Sequence, residues 1–188
     1  MTNPLHRSLA AAIATGLVLV TALTGCSGDR AASEPVTPDP AKVRAEKEAA
    51  QATAWKESEE AIRAYVADLN EDRMRPPTPS TWYASPKLID EQTQILDELK
   101  NRGLTIKGTS SIVSIEPIDY QGAPMYQAGM QVCSTVTGGI YDSKGRNVTT
   151  TPEGKPLTDK ERRIAERYSM RQNGSTWEID YVVQEGAC

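Results

Sequence analysis

The chain has 188 residues and a formal net charge of −4 at pH 7. This length suits one domain with an additional terminal segment. The mildly acidic balance lacks the basic footprint of a nucleic-acid-binding protein, so we expect no nucleic-acid partner.

The first 26 residues have the layout of an export signal. Arg7 supplies the positive start, and the apolar segment from Leu9 to Leu23 is too short to cross about 30 Å of hydrocarbon. The closing letters LTGC, residues 23–26, resemble the lipobox of bacterial lipoproteins. This resemblance implies that residues 1–25 are removed and that a lipidated Cys26 anchors the protein on the extracytoplasmic side of the cell membrane. The alternative is an ordinary secretory signal with a chance cysteine.

The positions of the histidine and the cysteines limit which kinds of catalysis and metal binding the mature chain could carry out. The single histidine, His6, lies in the predicted signal, so cleavage would exclude histidine-dependent catalysis and His-ligated zinc. The sequence contains no Gly-rich phosphate loop, nucleophile elbow or clustered metal-ligand pattern, and we expect no cofactor and no metal. With Cys26 assigned to lipid, we expect a disulfide between Cys133 and Cys188 in an oxidising compartment. The alternatives are two free thiols or a metal site.

The segment after the signal changes from a tether to a helix. Residues 26–40 carry the lipidated cysteine and a flexible tether, because they are rich in Ser, Ala, Pro and acid and poor in large apolar side chains. Residues 41–188 are expected to form a single α+β domain. A long helix is predicted over 41–72, with an apolar stripe formed by Trp55, Ile62, Tyr65, Val66 and Leu69. The positions before Trp55 are mostly Ala, which leaves the start of the helix open.

A second helix is predicted over residues 85–103. Ser85 is its candidate N-cap, Pro86 occupies the first helical position, and Gly103 ends it. Its buried face is expected to comprise Leu88, Ile89, Ile95, Leu96 and Leu99.

From Leu104 onward, the apolar period changes from helical to alternating, which predicts an antiparallel sheet. Turns are predicted at 142–145 and at Asn173-Gly174. The predicted strands are 104–108, 110–120, 124–136, 139–150, 161–174 and 175–186.

The alternation also assigns faces to two of these strands. Cys133 falls on the opposite face from Val132, so the disulfide should lie away from the principal core. One inward set in the middle strand is Tyr126, Ala128, Met130, Val132 and Val136. In the last hairpin, the inward set is Trp177, Ile179, Tyr181 and Val183, opposite Tyr168 and Met170.

The order of these elements resembles the nuclear transport factor two-like fold, also called SnoaL-like. The residues that carry the likeness are AIRAYVADLN, the stretch from Thr81 to Ile112, and the closing YSMRQNGSTWEIDYVVQEGAC. Together with the lipobox and Cys133, they look like small actinobacterial lipoproteins of that superfamily. The resemblance implies helices packed on a curved antiparallel sheet, as a cone with a pocket at its mouth. Members of the superfamily use this surface for catalysis, for partners or for dimerisation, so a homodimer is a further option.

The candidate pocket residues are Tyr83, Asp90, Tyr126 and Trp177. No spacing among the acids demands catalysis, and the alternative interpretation is solvated acids with packed tyrosines. We therefore expect a non-catalytic domain that binds a small ligand or an envelope protein at the cell surface. The alternative is a cofactor-free isomerase or cyclase that uses a pocket carboxylate and a tyrosine.

Overall fold

The first helix, α1, spans Pro40–Glu71 in the computed structural model, which describes residues 38–77, 82–151 and 154–188. The carboxylate of Asp39 caps it by accepting a hydrogen bond from the amide of Ala41 at 2.9 Å. The helix therefore begins well before Trp55. Its first 14 residues are almost wholly exposed, whereas Ile62 and other residues of the second half are buried. The predicted helix is confirmed, and nearly half of it, at the N-terminal end, extends beyond the core.

The second helix, α2, spans Pro86–Asn101. Ser85 occupies the N-cap position without a side-chain cap hydrogen bond, and Gly103 follows the helix at a φ of +66°. Leu99 is buried, but Ile95 is 51% exposed, so the predicted burial of Ile95 is wrong. The reason is that this face of α2 borders a cavity and not a packed core.

The strands form two antiparallel sheets, which confirms the α+β class. The larger sheet has the order β2-β3-β5-β6, and the smaller pairs β1 with β4. The strand bounds are β1 Thr105–Lys107, β2 Ser110–Gln121, β3 Gln127–Val136, β4 Gly139–Tyr141, β5 Arg162–Asn173 and β6 Thr176–Gly186. The predicted turn at 142–145 is present, because the Gly145 amide donates a hydrogen bond to the Asp142 carbonyl at 2.9 Å. Within the predicted strand segment 139–150, the named strand comprises only β4 before this turn.

A β-bulge changes the inward face of β6. Ser169 pairs with Tyr181 and Met170 pairs with Ile179, so the chain slips by one residue between them. Because a one-residue slip moves following side chains to the other face of a sheet, Tyr181 and Val183 are nearly half exposed. Their predicted inward orientation is wrong, although that of Trp177 and Ile179 is correct.

The core lies between α1 and one face of the larger sheet. Its most buried large side chains are Ile62, Met130, Val132, Met170 and Ile179. Trp177 also belongs to it, and its indole nitrogen donates a hydrogen bond to Glu57 Oε2 at 3.0 Å. Tyr126, which was expected to share this face, is 43% exposed and lies just before β3.

The predicted disulfide is present between Cys133 and Cys188. Cys133 pairs with Ala165 of β5, and Ala165 pairs with Gly186 of β6. The bond therefore crosses β5 and joins the end of the chain to β3. Val132, the neighbour of Cys133, points into the core, so the disulfide lies on the opposite, outer face.

Residues Pro38–Cys188 form one compact unit. Within the described ranges, no helix is long and apolar enough to cross a membrane. The predicted signal peptide, Cys26 and the tether up to residue 37 lie outside the described residues.

Candidate functional site

A cavity lies between the C-terminal half of α1, helix α2 and the core-facing side of the larger sheet. It has two adjoining lobes of about 310 and 320 Å³. Both lobes are lined by Tyr65, Leu69, Arg73, Tyr83 and Gln92. We call this space the helix–sheet cavity.

The outer lobe opens where α1 ends. Its mouth is bordered by Pro76, Pro77 and Leu96, among others. Trp82 is held there by a hydrogen bond from its indole nitrogen to Asp68 Oδ2 at 3.0 Å, and the other oxygen of Asp68 pairs with Arg75 at 2.7 Å. These contacts fix the wall of the entrance.

The inner lobe contains a carboxyl group, that of Glu166. Glu166 lies on β5 between Ile164 and Tyr168, and the alternation of the strand turns all three side chains toward the cavity. Tyr168 Oη donates a hydrogen bond to Glu166 Oε2 at 3.3 Å. Burial raises the pKa of Glu166, and the Tyr168 hydrogen bond and the charge of Arg73 oppose that rise. The cavity therefore holds an acid whose charged form is disfavoured.

Three tyrosines surround this acid. Tyr65 comes from α1, Tyr83 from the segment before α2, and Tyr168 from β5. The hydroxyls of Tyr65 and Tyr83 are hydrogen-bonded at 2.8 Å. The ring of Tyr65 meets those of Tyr83 and Tyr168 edge to face, at centroid distances of 5.9 and 6.5 Å. Burial raises the pKa of Tyr65 and of Tyr168, so these phenols are neutral hydrogen-bonding groups.

The backbone of β6 positions Tyr83. The Ala84 amide donates to the Ile179 carbonyl at 2.9 Å, and the Ile179 amide donates to the Trp82 carbonyl at 2.7 Å. This short parallel bridge holds the segment against the edge of the sheet. It fixes the Tyr83 ring at the junction of the two lobes.

Arg73 places a positive charge in the wall of both lobes. Its Nε donates to the Gly108 carbonyl at 2.9 Å, and its Nη2 donates to Asn70 Oδ1 at 3.0 Å and to Ser110 Oγ at 2.7 Å. Burial lowers the pKa of Arg73. The guanidinium thus forms hydrogen bonds that join the end of α1 to the start of β2.

The structure does not bring the four candidate pocket residues together. Tyr83 lines the helix–sheet cavity. Tyr83 also lines a groove with Asp90, beside Asn173, so these two candidates share one groove, whereas Tyr126 is 43% exposed and Trp177 packs in the core.

Sequence reasoning missed Glu166 and gave Tyr65 and Tyr168 only a packing role. A signal was present, because Ile164, Glu166, Tyr168 and Met170 alternate along one predicted strand. An acid at an inward position of such a strand must be buried beside its apolar neighbours. Within the part of the chain that the structure describes, no group of three or more acidic, cysteine or histidine side chains could hold a metal ion.

Neither a protein-family model nor a curated protein matches the sequence. Among solved structures, the chain is similar to the intermembrane space region of the chloroplast protein ARC6, with a TM-score of 0.38 and 12% sequence identity. The match covers 76% of this chain and 96% of that one. A likeness this weak assigns neither a fold family nor a function.

Proposed function

We propose that this chain is a bacterial lipoprotein whose domain is of the nuclear transport factor two-like, SnoaL-like type. The lipobox letters at residues 23–26 support the anchor, and the helix–sheet cavity is compatible with the cone of that superfamily. The protein would then work on the extracytoplasmic side of the cell membrane. Mass spectrometry of the membrane-bound protein should show a chain that begins at Cys26 and carries the added mass of acyl chains, and Cys26→Ser should lose that added mass. A Cys26 without acyl chains would contradict the anchor.

The domain binds a small, largely apolar ligand in the helix–sheet cavity. The observation that carries this proposal is a cavity with apolar walls, such as Leu69 and Val182, that also contains the inward carboxyl of Glu166 and the phenols of Tyr65 and Tyr168. Ligand sites are typically apolar spaces of about 300–1,000 Å³ with a few converging polar groups. A packed core would fill this volume with side chains.

Native mass spectrometry of residues 27–188, purified from an oxidising compartment, tests the proposal. We expect an additional mass that disappears on denaturation. Leu96→Trp should fill the cavity mouth and remove this mass, whereas Asp97→Trp, on the exposed side of α2, should retain it. If the native mass equals the denatured mass in the unmodified protein and in both variants, ligand binding is contradicted and a protein partner is favoured.

The second candidate is a cofactor-free isomerase or cyclase. It is favoured by the hydrogen-bonded pair of Glu166 and Tyr168 inside the cavity. Glu166 could accept a proton from carbon next to a carbonyl group, while a phenol stabilises the charge that develops on the carbonyl oxygen. NMR of cyclohexanone in deuterated water should then show accelerated exchange next to the carbonyl, and Glu166→Gln should remove the acceleration without unfolding. Exchange at the uncatalysed rate would contradict this candidate.

A further inference from the structure

The inner lobe of the helix–sheet cavity contains an acid without a matching cation. Among the described residues, no Lys or Arg forms an ion pair with Glu166. The hydrogen bond that it receives from Tyr168 is long, at 3.3 Å. Buried carboxylates are normally paired, because removing an ionised group from water is costly without a partner. The charge of Glu166 is therefore available to a ligand.

Arg73 is the basic residue that lines the same lobe, and two of its three nitrogens have other partners. Its Nε and Nη2 are engaged by the carbonyl of Gly108, the amide oxygen of Asn70 and the hydroxyl of Ser110. These contacts hold the guanidinium at the end of α1. Among the described contacts, Arg73 forms no hydrogen bond or ion pair with Glu166, although its charge favours the ionised carboxylate.

The surroundings of Glu166 suit a positive group with an apolar body. The rings of Tyr65, Tyr83 and Tyr168 lie in the same lobe, and an aromatic face attracts a cation within about 6 Å of its centre. Leu88 and Val182 belong to the apolar part of the wall. A carboxylate combined with aromatic rings is the chemistry by which proteins recognise amines and quaternary ammonium groups.

We propose that the ligand of the helix–sheet cavity is an organic cation, an amine or quaternary ammonium with a compact apolar body, whose charge lies against Glu166. This assignment rests on the proposed ligand-binding function and specifies the class of ligand. The cationic group donates to or contacts the Glu166 carboxylate, and the apolar body fills the space between α1, α2 and the sheet.

Three probes of the same shape and different charge test the assignment. Binding of cyclohexylamine, cyclohexanol and cyclohexanecarboxylate to residues 27–188 is measured by ligand-observed NMR titration at pH 8. The amine should bind about tenfold more tightly than the alcohol, because a charge-assisted hydrogen bond is roughly twice as strong as a neutral one. The carboxylate should bind more weakly than either. This ranking uses the unmodified protein and does not depend on the folding of a variant.

Glu166→Gln should reduce the preference for the amine to within about twofold of the alcohol. The matched control is Glu161→Gln, an exposed acid just before β5, which should keep the preference. Equal binding of amine and alcohol, or an unchanged preference in Glu166→Gln, would overturn the assignment but leave the ligand-binding cavity intact. If none of the three probes binds, the assignment fails together with the proposed function.

Discussion

At the scale of single residues, Glu166 links ligand chemistry to folding stability. Burial raises its pKa above the ordinary value of 4.5, so the folded protein binds a proton more tightly at this site than the unfolded chain does. The corresponding stability is fully present below pH 4.5 and is lost as the pH rises through the raised pKa. The groups that interact with the Glu166 carboxyl are Tyr65, Tyr168 and Arg73. They influence how far the pKa of Glu166 rises.

Replacing Glu166 with Gln should therefore stabilise the protein at pH 8 and leave it nearly unchanged at pH 4. The expected gain at pH 8 is on the order of 1 kcal/mol, the typical cost of a buried polar group with poor partners. Urea unfolding at both pH values measures the difference. Glu161→Gln, at an exposed position, should change stability equally little at both pH values. A variant that is less stable than the parent at pH 8 would show that Glu166 is well satisfied when ionised.

At the scale of elements, the connection between the two sheets depends on a close backbone approach. Gly108 follows β1 with a φ of +115°, and a Cβ there would overlap the carbonyl group of Thr137. Gly145 also has a positive φ, at +75°, but a Cβ there would meet open space. A side chain at Gly145 would incur only the free-energy cost of the positive φ, whereas a side chain at Gly108 would also incur the cost of overlapping Thr137.

Gly108→Ala should reduce the free energy of unfolding by about 3 kcal/mol, and Gly145→Ala by about 1 kcal/mol, because a left-handed conformation alone costs about 1–2 kcal/mol for a side chain with a Cβ. Thermal and urea unfolding of the two variants measure these losses. Equal losses would mean that the chain near Thr137 moves aside without cost.

Elements that depend on local sequence patterns were predictable, whereas features that depend on pairing and packing between elements were not. Both helices and most of the strands were predictable, because the apolar period in each segment is a local property. The faces of Tyr181 and Val183 were not, since the bulge beside Ser169 arises from how β6 pairs with β5. The exposure of Ile95 likewise depends on what α2 faces, and the periodicity of one helix does not contain that information.

The cavity was predictable only in part, for a related reason. Tyr83 was identified, but the groove that it shares with Asp90 is not the lobe that contains Glu166. Glu166 becomes a site residue because β5 places it opposite Tyr65 of α1, roughly a hundred residues earlier in the chain. The meeting of Glu166 and Tyr65 depends on how β5 packs against α1. The only local sequence signal for it is an acid at an inward position of a strand.

At the scale of the whole molecule, the first 14 residues of α1 lie outside the packed core. The exposed residues 40–53 of α1 extend for about 20 Å at 1.5 Å per residue. Ion pairs along this exposed part, such as Lys42 with Glu46 and Arg44 with Glu48, follow the i,i+4 spacing that supports an isolated helix. Local charge pairing therefore supports this part of the helix where the core does not.

The disulfide stabilises the other end of the same unit. Cys133 and Cys188 are 55 residues apart, and closing a loop of that size in the unfolded chain is worth about 4 kcal/mol in the chain-entropy model. A Cys133→Ala, Cys188→Ala double variant should lose about this amount, measured by urea unfolding, and a reducing agent should lower the stability of the parent but not of the variant.

Because the bond lies on the outer face of the sheet and Glu166 on the inner face, we expect the variant to keep its ligand wherever it is still folded. Loss of the ligand at low urea concentration would mean that the tail anchored at Cys188 sets the curvature of β5, and with it the position of Glu166.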